Sequence, residues 1–282
     1  MTKKLIALDM DGTLLSTTKT ISPENKQAIK DAQAAGHIVM ICSGRPHVSL
    51  TKFLQAEGLD DLPISASNGT ISIVDGQIID QVVMDKTVAK KVFEWLVKHQ
   101  FAFNLYTAEG VFSHAMFFEW ARQDAQGRPD FEDKKAEFAR IEAYFKTIIT
   151  DRFNQWEDLP ADLAIFKFFV LTPEFERKKM FEDFASAVTE ATFTSSHSDN
   201  VEISDARGHK GTGVTAIANY FGIPIGDIVA MGDNFNDVGM LEVAGLAVAM
   251  GNAEDGVKAI ADVVTLSNDE HGVAHAIRNY VL

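Results

Sequence analysis

The chain has 282 residues, 46% of them hydrophobic, and 26 basic against 40 acidic side chains leave it a net charge of −14. That length and apolar share can bury one large core or two smaller ones. The charge repels the phosphates of nucleic acid and the anionic face of membranes, so neither is expected as a partner.

The start, "MTKK" followed by "LIAL", resembles a secretion signal only briefly, because the apolar run stops at Asp9, short of the roughly 7 to 15 residues such a segment needs. No later run approaches the ~20 apolar residues of a membrane helix. "LIALD" reads instead as a buried strand, with Asp9 and Asp11 two apart at its end and Gly12 and Thr13 behind them. Two carboxylates at ~4 Å repel by roughly 4 kcal/mol at an effective dielectric of ~20, so such a strand end needs a reason. "SPENKQAIKDAQAAG" predicts a helix, with Ser22 to cap it, Pro23 at its first position and Gly36 to close it. The strand "HIVMIC", the turn "SGRP", the helix "HVSLTKFLQAEG" and the strand "PISAS" follow, a rhythm that indicates a parallel sheet covered on both faces. Cys42, the single cysteine, cannot form an internal disulfide, which fits a reducing cytoplasm. "ISIVDGQIIDQVV" predicts a hairpin about Asp75-Gly76.

From residue 85 to 204 the grammar changes. Aromatic-rich strands "FAFNLYT", "VFSHA" and "LAIFKFFVL" lie among charged helices such as "FEDKKAEFARIEAYFK", which reads as an α+β module inserted into an α/β core of residues 1–84 and 205–282. The βα alternation then resumes. The helix "GTGVTAIANYFG" carries Val214, Ile217, Ala218 and Phe221 on one stripe, and "DIVAMGD", "NDVGMLEVAG", "LAVAM", "AEDGVKAIA", "VVTL" and "DEHGVAHAIRNYVL" alternate strand and helix.

In open parallel sheets the working residues collect beyond the carboxyl ends of the strands. There stand Asp9 and Asp11; Ser43, Gly44 and Arg45; Asn68 and Gly69; and Asp233, Asn236 and Asp237. Four carboxylates at one edge call for a hard cation, and Mg²⁺ suits such oxygen ligands. Calcium loops of the EF-hand type are excluded, since the sixth positions are Leu14 and Val238 rather than glycine. Ser43-Gly44 is expected to open the following helix and offer an anion site. Lys210, at a helix start where the dipole disfavours a cation, hints at a nearby anion. "GTGVTA" matches the dinucleotide-binding spacing, but seven residues, Asp205 to Gly211, separate "VEIS" from its first glycine turn.

The set "DMDGTLL", "CSGR", Lys210 and "GDNFND" resembles the haloacid dehalogenase superfamily of phosphatases, and "VAMGNAEDGVKAIADVVTLSNDEHGVAHAI" resembles its Cof-type branch. The match covers nearly all of the core; in the insert it is one of size and position. Met10, Phe235 and Gly239 depart from the pattern without touching a charged position. The resemblance implies a Rossmann-like, doubly wound parallel-sheet core with an inserted α+β cap that lines a leaving-group pocket. It implies hydrolysis of small phosphomonoesters, sugar phosphates first and nucleotide or cofactor phosphates (FMN, pyridoxal phosphate) next. Asp9 would be the nucleophile, forming an aspartyl-phosphate, and Asp11 the acid and then the base, neutral while Asp9 is ionised. Mg²⁺ would take Asp9, the main-chain carbonyl of Asp11 and Asp233, with Asp237 as ligand or support. Ser43 and Lys210 would hold the phosphoryl oxygens, and Gly44, Arg45, Asn68 and Asn236 would help position the substrate. Phe103, Tyr106 and Phe112 read as sheet core sooner than as pocket lining, and His114 and His197 receive no role. The expected partner is a small phosphorylated metabolite, for a cytoplasmic monomer or homodimer. The rival readings are a phospho-accepting signalling module and an oxidoreductase built on "GTGVTA".

Overall fold

The computed structural model describes residues 2–128, 130–172, 175–195 and 199–282. The chain divides into two compact units, Met1–Gln81 with Arg207–Leu282, and Val82–Ala206. The first segment supplies β1 (Leu5–Asp9), α1 (Pro23–Ala34), β2 (Ile38–Cys42), α2 (His47–Glu57), β3 (Ile64–Ala66), β4 (Ile71–Val74) and β5 (Gln77–Gln81). The second unit holds α3 (Lys86–Lys98), β6 (Ala102–Thr107), β7 (Gly110–His114), α4 (Phe117–Gln126), α5 (Phe131–Ile148), β8 (Ile149–Phe153), β9 (Ile165–Leu171), α6 (Phe175–Ser186), β10 (Ala191–Thr194) and β11 (Asn200–Asp205). The chain returns through α7 (Lys210–Phe221), β12 (Ile228–Gly232), α8 (Val238–Val243), β13 (Leu246–Ala249), α9 (Asp255–Lys258), β14 (Val263–Val264) and α10 (Gly272–Tyr280).

In the first unit the sheet order is β14-β13-β12-β1-β2-β3-β4-β5, parallel from β14 to β3, with β4 and β5 antiparallel. Every residue of β1 is buried, as a strand covered on both faces requires. The Ser22 side chain caps α1 by accepting the N–H of Asn25, with Pro23 at the first helical position. The β4–β5 turn has positive φ at both Asp75 and Gly76, the conformation that matches the twist of a two-residue hairpin.

Three helices differ from expectation. Ser43-Gly44 does not open α2: Pro46 is its cap residue and the helix starts at His47. The residue before a proline is pushed out of the helical region, so Arg45 cannot belong to the helix. α9 is a single turn, and "NDVGMLEVAG" starts with a tight turn over Phe235–Asp237 before α8. "GTGVTA" is not a dinucleotide fingerprint, because β11, the strand before it, lies in the second unit's sheet and pairs antiparallel with β10 and β9, so the required βαβ unit is absent. Its glycines serve packing instead: a Cβ on Gly213 would lie 1.8 Å from Ser65 Oγ, and one on Gly211 2.2 Å from the Gly239 carbonyl.

The second unit has a sheet in the order β10-β11-β9-β6-β7-β8. Phe103 packs on Phe93 of α3, with ring centroids 5.8 Å apart, and Phe184 of α6 stacks on Trp95 at 4.2 Å. Phe103, Tyr106 and Phe112 are all buried, and His114 lies against Phe103 and Trp120. His197 is outside the described residues. Among those described, no helix is long and apolar enough to cross a membrane.

Candidate active site

Parallel register brings the site together. β1 lies between β2 and β12, with Asp9 level with Cys42 and Leu8 level with Met231, so Asp9, Ser43 and Asp233 leave the sheet at one edge. The loop after Asp9 folds back on itself, with the Leu14 N–H donating to the Asp9 carbonyl and that of Leu15 to Met10. Gly12 sits in this loop at φ +90°, and a Cβ there would lie 2.3 Å from Asp233 Oδ2. Only glycine admits both the backbone angle and the close approach. Thr13 Oγ1 donates to Asp233 Oδ1 at 3.0 Å.

Lys210, the first residue of α7, is buried, and its Nζ lies 2.5 Å from Asp9 Oδ1 and 2.5 Å from Asp237 Oδ1. The other oxygen of Asp237 accepts the main-chain N–H groups of Asp233 and Asn234. Asp237 therefore orients both the lysine and the Asp233 turn. The anion inferred from the lysine's position at a helix start is in the first instance this pair of carboxylates.

Burial and the Asp237 charge push the Asp9 carboxyl well above its ordinary range, against the pull of Lys210. The same two causes bring Asp233 up to about 6. Burial pulls the Lys210 ammonium down, but Asp237 and Asp9 outweigh it and hold it charged well above the usual range. Burial also pushes the Cys42 thiol up to about 12, which makes it a packing residue and not a nucleophile.

Asp11 behaves otherwise. Arg45 grips its carboxylate with two bonds of 2.9 Å from Nε and Nη2, and Lys19 adds a third at 2.9 Å. Burial would raise this group, but the two cations prevail and hold it well below the ordinary carboxylate range. The surroundings of the two carboxyls thus act in opposite directions, raising Asp9 and lowering Asp11. The acidic group is Asp9, Asp233 and Asp237, with one oxygen from each all within 4.8 Å of one another, and the Asp11 carboxylate is turned away to Arg45 and Lys19. Arg45, expected on substrate, is likewise engaged by Asp11. Ser43 is buried, its Oγ accepting the Arg45 N–H at 3.2 Å, with Gly44 between them. The Asn68 N–H donates to the Ser43 carbonyl, which ties the β3 end to the β2 end, and Gly69 lies so close to α7 that a Cβ would be 2.0 Å from the His209 carbonyl. Asn236 is half-buried on the turn before Asp237.

The model of the haloacid dehalogenase-like hydrolases matches residues 6–277. The chain belongs to that family. It is 32% identical to Phosphatase YwpJ of Bacillus subtilis, over 98% of this chain and 99% of the relative. It is 32% identical to the 5-amino-6-(5-phospho-D-ribitylamino)uracil phosphatase YwtE of the same organism, over 97% and 96%. Identity to the pyridoxal phosphate phosphatase YbhA of Escherichia coli is 30%, over the full length of both. A solved haloacid dehalogenase-like hydrolase from B. subtilis superposes with a TM-score of 0.84 at 28% identity, covering 99% of this chain and 100% of that one. The activity is accordingly that of a phosphatase.

In this haloacid dehalogenase-like hydrolase the donor set fits a hard divalent cation. Asp9, Asp233 and Asp237 offer oxygen alone, and Lys210 sets one positive charge against three carboxylates. Sequence reasoning gave no role to Thr13, although it stands in the quoted "DGT", nor to Asn252 and Asn268, whose only signal was their place in the family-like tail.

Proposed function

We propose that this phosphatase hydrolyses small phosphomonoesters with Mg²⁺, through an aspartyl-phosphate on Asp9. The observation that carries the reading is the bridging of Asp9 and Asp237 by the buried Lys210, with Asp233 beside them. Asp9, Asp233 and the main-chain carbonyl of Asp11 would hold the cation, with Asp237 in support. When bound, the cation neutralises carboxylate charge and draws electrons from the phosphoryl oxygens. Asp9 Oδ forms a bond to phosphorus as the ester oxygen leaves, and that oxygen takes a proton from Asp11. Water then attacks the phosphorus, gives its proton to Asp11 and frees Asp9. Lys210 and the residues around Ser43 hold the phosphoryl oxygens as charge shifts among them. A phosphoryl dianion competes with Asp11 for Arg45 and Lys19, and each cation so diverted lets the Asp11 acidity move toward the proton-bearing form that the first step needs.

The unit Val82–Ala206 takes the part of the cap. Sugar phosphates are the first substrate class. Phosphates of heteroaromatic compounds are the second, favoured by relatives named for a ribitylaminouracil phosphate and for pyridoxal phosphate. The setting is a cytoplasmic monomer or homodimer acting on a metabolite. Phosphate release from a panel of sugar, nucleotide and cofactor phosphates, with and without chelator, tests the reading. Chelation and Asp9→Asn each abolish turnover while circular dichroism stays that of the wild type; substantial residual activity in Asp9→Asn rules out the nucleophile.

A further inference from the structure

The loop that follows Asp9 is held by side chains more than two hundred residues away. Asn252 Nδ2 donates to the Gly12 carbonyl at 2.9 Å, and Asn252 Oδ1 accepts the Asn268 N–H at 2.9 Å. Asn268 Nδ2 in turn donates to the Leu15 carbonyl at 2.8 Å, and Asp269 Oδ1 accepts both the N–H and the hydroxyl of Thr17. From these contacts we infer that Asn252 is a positioning residue for phosphoryl transfer, setting the peptide plane at Gly12 and so the aim of the Asp11 carbonyl and of Asp9. This rests on the phosphatase reading above.

Gly12 must lack a side chain so that Asp233 can approach, and that same lack leaves its backbone the freest in the loop. The Gly12 peptide therefore needs an external hold. The Leu14 and Leu15 N–H groups bond back to the Asp9 and Met10 carbonyls and close the loop around Gly12 without engaging its carbonyl, whereas the Asn252 bond falls on the Gly12 carbonyl itself, one residue after Asp11 and three after Asp9. Asn252 is exposed, where a hydrogen bond adds little to stability because water replaces it readily. Such a bond has more to offer in geometry, since about 1 Å of misplacement costs on the order of 10²-fold in rate.

The test compares wild type, Asn252→Ala and Asn252→Asp. The aspartate keeps the acceptor for the Asn268 N–H and removes the donor to Gly12, so it isolates the proposed bond. Readouts are kcat and KM on the best panel substrate, Mg²⁺ affinity by calorimetry and thermal unfolding. Both variants are expected to lose about tenfold or more in kcat with KM within about twofold, to bind Mg²⁺ several-fold more weakly, and to unfold within a few degrees of wild type. Wild-type kcat and Mg²⁺ affinity in Asn252→Asp would overturn the inference, as would a kcat loss matched by a large fall in unfolding temperature. A wild-type protein that releases no phosphate from any ester would instead overturn the phosphatase reading.

Discussion

Lys210 carries an unusual burden for one residue. It is buried at a helix start, where the dipole disfavours it, and it is retained by two carboxylates that are themselves buried. Replacing it by methionine leaves Asp9 and Asp237 facing each other with no counter-charge. Breaking a buried pair in this way costs about 3–5 kcal/mol, so Lys210→Met is expected to lower the denaturant midpoint by that equivalent and to abolish phosphate release. A midpoint equal to the wild type would mean that the carboxylates do not depend on the lysine. Asp11 offers the contrast: a carboxylate two positions from Asp9, yet held by Arg45 and Lys19 in a separate ionic cluster. Two similar side chains are given opposite acidities by what surrounds them, and their spacing in the chain carries no sign of it.

At the scale of elements, the loop between β1 and α1 is tightly constrained. Its turn needs Gly12 at φ +90°, its Thr13 hydroxyl braces Asp233, and Asn25 of α1 receives the Ala274 N–H and so links α1 to α10. Gly12→Ala meets both obstacles at once, a disfavoured backbone angle and a methyl group driven into the Asp233 carboxylate. The expected outcome is a stability loss of about 1–3 kcal/mol, read by urea unfolding, and loss of most phosphate release. The start of α2 makes a related point. The dipeptide Arg45-Pro46 moves the helix start to His47, so Ser43 works through its bond with Arg45 and its tie to Asn68 and not as a helix cap.

For the whole molecule, the acidic edge links cation, proton and stability. Asp233 is brought up to about 6 by burial and by Asp237, above the unfolded value near 4. A carboxyl raised on folding favours the protonated form. Its contribution is present below about pH 4 and is lost as pH rises through about 6. The cation-free protein is thus expected to lose thermal stability across that window. Mg²⁺ at about a hundred times its dissociation constant should restore about 2.7 kcal/mol near neutrality, and its affinity should weaken as pH falls below about 6. Unfolding scans with and without Mg²⁺ from about pH 3.5 to about pH 8 check this; identical scans at about pH 7.5 would count against a cation site here.

The parts of the fold legible in the sequence are those set by neighbours in the chain. Apolar runs placed β1, β2 and β12, Ser22 and Pro23 marked the start of α1, and Asp75-Gly76 marked the hairpin. The strand ends of a parallel sheet then placed Asp9, Ser43 and Asp233 at one edge. Backbone conformation and burial pattern are local quantities, which is why one chain sufficed for them.

Partners across space were not legible. Arg45 meets Asp11 across 34 positions, Lys210 meets Asp9 across 201 and Asn252 meets Gly12 across 240. The sequence by itself determined which elements form and which charges stand at the sheet edge. Only the tertiary structure decided which carboxylates share Lys210, which one Arg45 takes away, and what holds the glycine between them. The physical reason is that acidity and aim depend on distance and on the exclusion of water, and both exist only once remote segments have packed.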